Sequence, residues 1–198
     1  MYFDLLTALL FCSIWIGILA FLRFKKRKSL VFLTFLTVFY VYIFKVLDFT
    51  IFQFQSLLLL KYFMPNLILR GQAAGESTNF VPLIRLTAQD LQTSLLNVLL
   101  FVPFGFGLPF VTNLQMKRIL AAGLIFSVLI EILQLVTGLV AQVTFRIADV
   151  NDVIFNTVGV AIGYVLFVIF MRTYRRISRN WEISASPILR YIAERPQA

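Results

Sequence analysis

Amide, carboxylate and guanidinium side chains interrupt segments that are otherwise apolar enough to cross a lipid bilayer. Between residues 97 and 163 they fall into three groups: Asn97; Ser127, Glu131 and Gln134; and Arg146, Asp149, Asp152 and Asn156. Polar groups of this kind are costly in lipid and therefore mark a candidate functional site. The chain contains no histidine, so acid–base chemistry would have to use carboxylates, lysine or tyrosine, with Glu131 as the candidate catalytic residue.

The same side chains could hold a hard metal ion. Glu131, Asp149, Asp152 and Asn156 all offer oxygen atoms, which suit a divalent cation such as Mg²⁺, Mn²⁺ or Ca²⁺. A cation beside Arg146 would suit a phosphorylated lipid. Cys12 is the single cysteine, which excludes a disulfide within the chain and a zinc site built from cysteines.

The elements that must carry these residues are membrane spans. The 198-residue chain is 60% hydrophobic and only 14% charged, with a mean hydropathy of +0.89, whereas a soluble domain carries about 25% charged residues. The net charge of +9 does not indicate nucleic-acid binding, because the basic residues flank apolar segments, where positive charge sets membrane topology.

The pattern predicts an all-α, polytopic transmembrane bundle of about five spans. Residues 1–60 hold two spans separated by a basic loop at 23–29, residues 61–90 form an outer loop, residues 91–171 hold three further spans, and residues 172–198 form a basic tail. With the N-terminus outside, the basic segments and the C-terminus are all cytoplasmic, as the positive-inside rule requires. The pattern thus predicts a multi-pass membrane protein, and the tail is expected to lie on the membrane surface.

The polar residues lie at similar depths below the outer ends of their helices and therefore form one layer. At a rise of about 1.5 Å per residue, Asn97 lies roughly 9 Å below the outer end of its span, Gln134 roughly 10 Å, Glu131 roughly 15 Å and Asn156 roughly 8 Å. The spacing therefore predicts an outward-facing polar pocket, with Arg146, Asp149 and Asp152 at its rim.

The last span shows a single helix face along its length. Asp149, Asp152, Asn156, Gly159 and Gly163 recur at intervals of three or four residues, which places them on one side of a helix. The glycines form a small-xxx-small pair that permits a neighbouring helix to approach closely. The outer part of the face would line the pocket, and the inner part would pack against a neighbouring helix.

Structural explanations compete with the functional one. Asp149 could cap the last span, Arg146 could pair with Asp149 or Asp152, and Glu131 and Asn156 could join helices by hydrogen bonds. Lys45 and Asp48 interrupt the second span three residues apart, and they could form an ion pair or extend to the interface. The sequence does not assign them to the pocket, and it leaves the structure of residues 55–70 open.

As an ordered set, these motifs resemble the VanZ-like family of bacterial membrane proteins. The resemblance covers about residues 79–168, and its motifs are Asn79-Phe-Val-Pro82, Asn97 with Phe101-x-Pro103-x-Gly105, Ser127-x-x-x-Glu131-x-x-Gln134, and Arg146-x-x-Asp149-x-x-Asp152-x-x-x-Asn156-x-x-Gly159. It implies a role in resistance to teicoplanin-type glycopeptides at the cell envelope. It implies no catalytic role for any residue.

Four functions follow from these features. The leading hypothesis is a pocket that binds a lipid-linked cell-wall precursor, a lipoglycopeptide or another envelope ligand, with membrane lipids as further partners. The first alternative is an intramembrane enzyme that uses carboxylates and a divalent cation on a phosphorylated lipid. A small permease, which would need to form a homodimer, and a purely structural membrane partner are the others.

Overall fold

A computed structural model describes residues 5–51, 72–73, 78–79, 88–141, 143–144, 148–178 and 186–195, and it confirms the all-α bundle. The helices are α1 (Leu5–Ala20), which continues into a π-helical turn (Phe21–Lys25), α2 (Leu30–Thr50), α3 (Ala88–Val111), α4 (Met116–Ala141), α5 (Val150–Ser178) and α6 (Pro187–Ala193).

Four of these helices, α2 to α5, are long and apolar enough to cross a membrane. The chain is therefore a multi-pass membrane protein. The first predicted span corresponds to α1, whose 16 residues run directly into the basic segment. We name the two ends of the bundle after the topology that the charge distribution predicts. The outer end is where α2 and α4 finish and where α3 and α5 begin, and the opposite end is called the cytoplasmic end.

Two short strand pairs join the segments before α3 and α5. Strand β1 (Gln72–Ala73) pairs antiparallel with β3 (Val143–Thr144). Strand β2 (Thr78–Asn79) pairs parallel with β4 (Ala148–Asp149), which places Asn79 opposite Asp149. A part of the predicted outer loop is thus held by backbone hydrogen bonds against the residue that precedes α5.

The closest helix contact is a glycine seam between α3 and α5. A methyl group added at Gly163 would overlap the carbonyl oxygen of Val102, and one added at Gly105 would overlap the carbonyl oxygen of Val160. Gly159 faces Val98 and Phe101 in the same way. The predicted packing role of Gly159 and Gly163 is confirmed, and Gly105 of α3 belongs to the same seam.

Aromatic side chains fill the bundle on the side of Asn97 and Asn156 that is farther from the outer end. Phe101, Phe104 and Phe126 pack against one another with ring centroids 5.4–6.1 Å apart. Further towards the cytoplasmic end, Phe110 packs edge-on against Phe167 with ring centroids 5.1 Å apart. These rings give large buried area with preferred edge-to-face and offset geometries, so they fix how the helices sit around the layer above them.

Helix α6 docks under the cytoplasmic end of the bundle. The Tyr191 hydroxyl donates to the Phe110 carbonyl, its ring stacks on Phe35, and Arg195 lies 4.1 Å over that ring. Burial raises the pKa of Tyr191 above its ordinary value, and the Arg195 charge opposes that rise. Tyr191 belongs to the tail that was predicted to lie on the membrane surface, and it contacts the end of the bundle.

The glycine seam predicts a large difference between two glycine-to-alanine substitutions. Gly163→Ala should destabilise the protein by about 1–3 kcal/mol, because the new methyl group forces two helix backbones apart. Gly17→Ala in α1 is the matched control, since nothing lies within 4 Å of an added methyl group there. It should be neutral or raise stability by up to about 1 kcal/mol through helix propensity. Thermal unfolding in detergent would measure both, and equal effects would contradict the seam.

Candidate functional site

Helix α4 presents its polar residues to the interior along one stripe. Ser127, Glu131 and Gln134 are buried, with Glu131 exposed by 9%, whereas Ile125, Leu129 and Ile132 on the opposite side are about half exposed. This division follows from the helical period, because residues three and four apart share a face. The stripe faces protein and the apolar side faces lipid.

Asn156 of α5 is joined to this stripe by a buried hydrogen bond. Its Nδ2 atom donates to the Ser127 hydroxyl oxygen at 2.8 Å. Asn156 lies one turn before Gly159, so the glycine seam also fixes its position against α3. The suggestion that Asn156 joins helices is confirmed, and its partner is Ser127.

Gln134 links α4 to the end of α2. Its Nε2 atom donates to the backbone carbonyl of Thr50 at 3.1 Å, in a buried environment. Thr50 is itself buried, and its hydroxyl donates to the Val46 carbonyl at 2.7 Å. Sequence reasoning missed Thr50, because a backbone carbonyl at a helix end leaves no signature in residue type.

Glu131 and Asp149 meet where α5 begins. The Glu131 Oε2 atom accepts from the backbone N–H of Asp149 at 3.1 Å. The Asp149 carboxylate accepts from the Asn151 N–H at 2.8 Å, which is the bond of a helix N-cap and confirms the predicted cap. Asp152 lies in the first turn of α5 and is partly buried. Glu131 is therefore placed at the positive end of a helix dipole.

Asn97 is buried on α3, as is Ser94 one turn before it. The described residues thus bring Asn97, Glu131, Gln134 and Asn156 into the interior of the outer half. We call the buried residues Thr50, Asn97, Ser127, Glu131, Gln134 and Asn156 the polar layer.

A groove of about 210 Å³ lies between α4 and α5 beside the polar layer. Glu131 and Asp149 are its two charged lining residues, and the others are apolar: Val128, Ile132, Leu135, Val150 and Val153. Val128 and Ile132 are 39% and 49% exposed on the lipid-facing side of α4. The surface of the groove is almost entirely apolar, and the groove leads from the lipid-facing side of α4 to the position of Glu131.

The remaining predictions concern Arg146, the segment 55–70 and the pair Lys45 and Asp48. Arg146 lies outside the described residues, as does the whole segment 55–70. Lys45 and Asp48 form an ion pair with each other at 3.1 Å, with 67% of the Lys45 side chain exposed, which confirms the pairing suggested for them.

The described residues do not assemble the ligands of a metal site. Within the part of the chain that the structure describes, no group of three or more carboxylate or cysteine side chains is close enough to hold a metal ion. Glu131 and Asp149 both accept backbone N–H bonds. The described carboxylates do not fit the divalent cation that the sequence suggested, and no chemical step is derived from one.

Comparison with known proteins gives one match. Residues 32–171 match the VanZ/LLP1 family, which is more than half of the 198 residues. The chain belongs to this family. The VanZ/LLP1 match extends beyond the motifs read from the sequence, because it starts in α2 and so includes Lys45, Asp48 and Thr50. No curated protein and no solved structure matches the chain.

The Ser127–Asn156 bond predicts a measurable loss of stability. Ser127→Ala should lower the unfolding free energy by about 1 kcal/mol, since hydrogen bonds between membrane helices contribute on this scale. Thr157→Val is the matched control on α5: its hydroxyl donates to the Val153 carbonyl within the same helix and joins no second helix. Unfolding of both variants in detergent measures the difference. A Ser127→Ala variant as stable as the control would refute the link.

Proposed function

We propose that this VanZ/LLP1 family protein binds an amphiphile of the bacterial cell envelope in the outer half of the membrane and thereby protects the cell against teicoplanin-type glycopeptides. The observation that carries the proposal is the position of Glu131. It is nearly buried, yet it lines a groove whose other walls include lipid-exposed apolar side chains. A ligand with an apolar tail can therefore approach Glu131 from within the bilayer.

The size of the groove limits what it can hold. Pockets for drug-sized ligands typically measure about 300–1,000 Å³, and this groove measures about 210 Å³. It is too small for a whole lipoglycopeptide or a whole lipid-linked precursor. We infer that one part of the ligand occupies it, while the rest extends into lipid or into the outer loops.

The chemistry of the lining indicates which part. The apolar residues of α4 and α5 suit a hydrocarbon segment, and ionised carboxylates only accept hydrogen bonds. The ligand would therefore present hydroxyl, amide N–H or amine donors to Glu131 and Asp149. Arg146 stands three residues before Asp149, and it would meet an anionic group of the same ligand.

Charge at Glu131 provides the first test. Glu131→Gln should abolish protection against teicoplanin while the protein still reaches the membrane, because the amide keeps the side-chain volume but loses the charged acceptor. Arg146→Ala should have the same effect by removing the anion partner. The measurement is the minimum inhibitory concentration beside the membrane abundance of each variant.

Asp48→Asn is the matched control for this experiment, since Asp48 also lies in the outer half but pairs with Lys45 on the exposed side of α2. It should retain protection. Full resistance in the Glu131 and Arg146 variants would remove the proposed function.

Filling the groove provides the second test. Val153→Trp should abolish protection by occupying the space between α4 and α5. Val158→Trp is the control, because Val158 lies on the same helix, is 42% exposed and does not line the groove. If both tryptophan variants protect equally well at equal abundance, the groove has no part in the function.

A further inference from the structure

Asn97 Nδ2 and Asn156 Oδ1 are buried amide atoms of the polar layer that have no hydrogen-bond partner among the described residues. The two side chains are 5% and 3% exposed, so bulk water does not reach them. A buried polar atom without a partner costs about 1–3 kcal/mol, and such atoms in proteins nearly always have one. A missing partner for this pair is therefore expected.

The two asparagines lie at the same level of α3 and α5, just outward of the contact that Gly159 makes in the glycine seam. Phe101 of α3 touches Gly159 of α5, since a methyl group added at Gly159 would lie 3.0 Å from the Phe101 Cβ atom. Asn97 is four residues before Phe101, and Asn156 is three residues before Gly159. Both helices start at the outer end, so each asparagine lies about one turn, or roughly 4.5–6 Å, outward of that contact. They therefore occupy the same level of the same interface.

The two open atoms have opposite hydrogen-bonding character. Asn97 Nδ2 can only donate, and Asn156 Oδ1 can only accept. A metal ion or ammonium group cannot accept from the first, and a carboxylate or phosphate dianion cannot donate to the second. A neutral hydroxyl does both.

We propose that Asn97 and Asn156 together bind one neutral hydroxyl group, which accepts from Asn97 Nδ2 and donates to Asn156 Oδ1. The hydroxyl is that of a trapped water molecule or of an alcohol in a lipid headgroup. It completes a hydrogen-bonded chain from α3 through α5 to Ser127 of α4, one turn from Glu131. The proposal goes beyond envelope-ligand binding and stands without it, because it concerns the resting protein.

The first experiment measures the midpoint of thermal unfolding, Tm, of the full chain in phosphatidylglycerol nanodiscs, where both water and the glycerol headgroup can supply a hydroxyl. Asn97→Leu removes the amide donor with little change in volume, and it should lower Tm by about 2–4 °C, because a bound partner is lost and Asn156 Oδ1 is left open. An unchanged or higher Tm would show that the Asn97 donor is truly unpaired, which overturns the proposal.

A double-mutant cycle tests whether the two side chains share one partner. The Tm losses of Asn97→Leu and Asn156→Leu should sum to more than the loss of the double variant, since both remove the same bound group. The control pair combines Asn97→Leu with Thr112→Val at the far end of α3, and its losses should add. Additive losses for the two asparagines would refute a shared hydroxyl.

Comparing the Tm loss in two lipids identifies the source of the hydroxyl. An equal Tm loss for Asn97→Leu in phosphatidylcholine and phosphatidylglycerol nanodiscs identifies water, whereas a loss that is larger in phosphatidylglycerol identifies a headgroup alcohol. If the leucine variants do not accumulate, a structure of the wild-type protein that resolves ordered solvent decides. An oxygen within about 3.2 Å of both atoms supports the proposal, and a direct bond between the two amides overturns it.

Discussion

The contact between the backbones of α3 and α5 is the constraint on which the rest of the bundle depends. Gly105, Gly159 and Gly163 leave no side chain between the helices, so main-chain atoms of one helix lie against the other. In lipid, helix association cannot draw on the hydrophobic effect and depends on close packing and hydrogen bonds. The seam supplies the packing. This close contact fixes α3 and α5 relative to each other, and with them Asn97 and Asn156 one turn closer to the outer end.

The polar layer then supplies the hydrogen bonds. Ser127 accepts a hydrogen bond from Asn156 of α5, Gln134 donates to the Thr50 carbonyl at the end of α2, and Glu131 accepts from the N–H of Asp149 just before α5. Each of these bonds reaches a different helix or helix end from the single stripe on α4. A helix that is apolar on one side and hydrogen-bonded on the other can face lipid and still hold two neighbouring helices at three points.

Much of this arrangement follows from the sequence, because membrane helices obey strong and simple rules. Hydropathy located α2 to α5, helical periodicity placed Asn156, Gly159 and Gly163 on one face, and the spacing of Asp149 to the start of α5 predicted its cap. The i,i+3 spacing of Lys45 and Asp48 gave their ion pair. These properties are local, so a single segment contains the information.

Contacts between segments that are far apart in the sequence could not be predicted from it. Gln134 bonds to a backbone carbonyl at Thr50, 84 residues away, and nothing in the type of either residue selects the other. The docking of α6 depends on Tyr191 reaching Phe110 across the cytoplasmic end, and the role of Gly105 depends on Val160. The pairing of Asn79 with Asp149 likewise joins two loops that share no pattern.

The groove between α4 and α5 has a consequence for how a binding partner is sampled. Because its apolar walls continue into the lipid-facing surface, occupancy by the proposed amphiphile would follow the mole fraction of that molecule in one leaflet rather than its concentration in the surrounding water. A molecule that is scarce in solution but partitions strongly into the bilayer would saturate such a groove. Two-dimensional diffusion would then govern its arrival, and the composition of the leaflet would determine which of several related molecules occupies it.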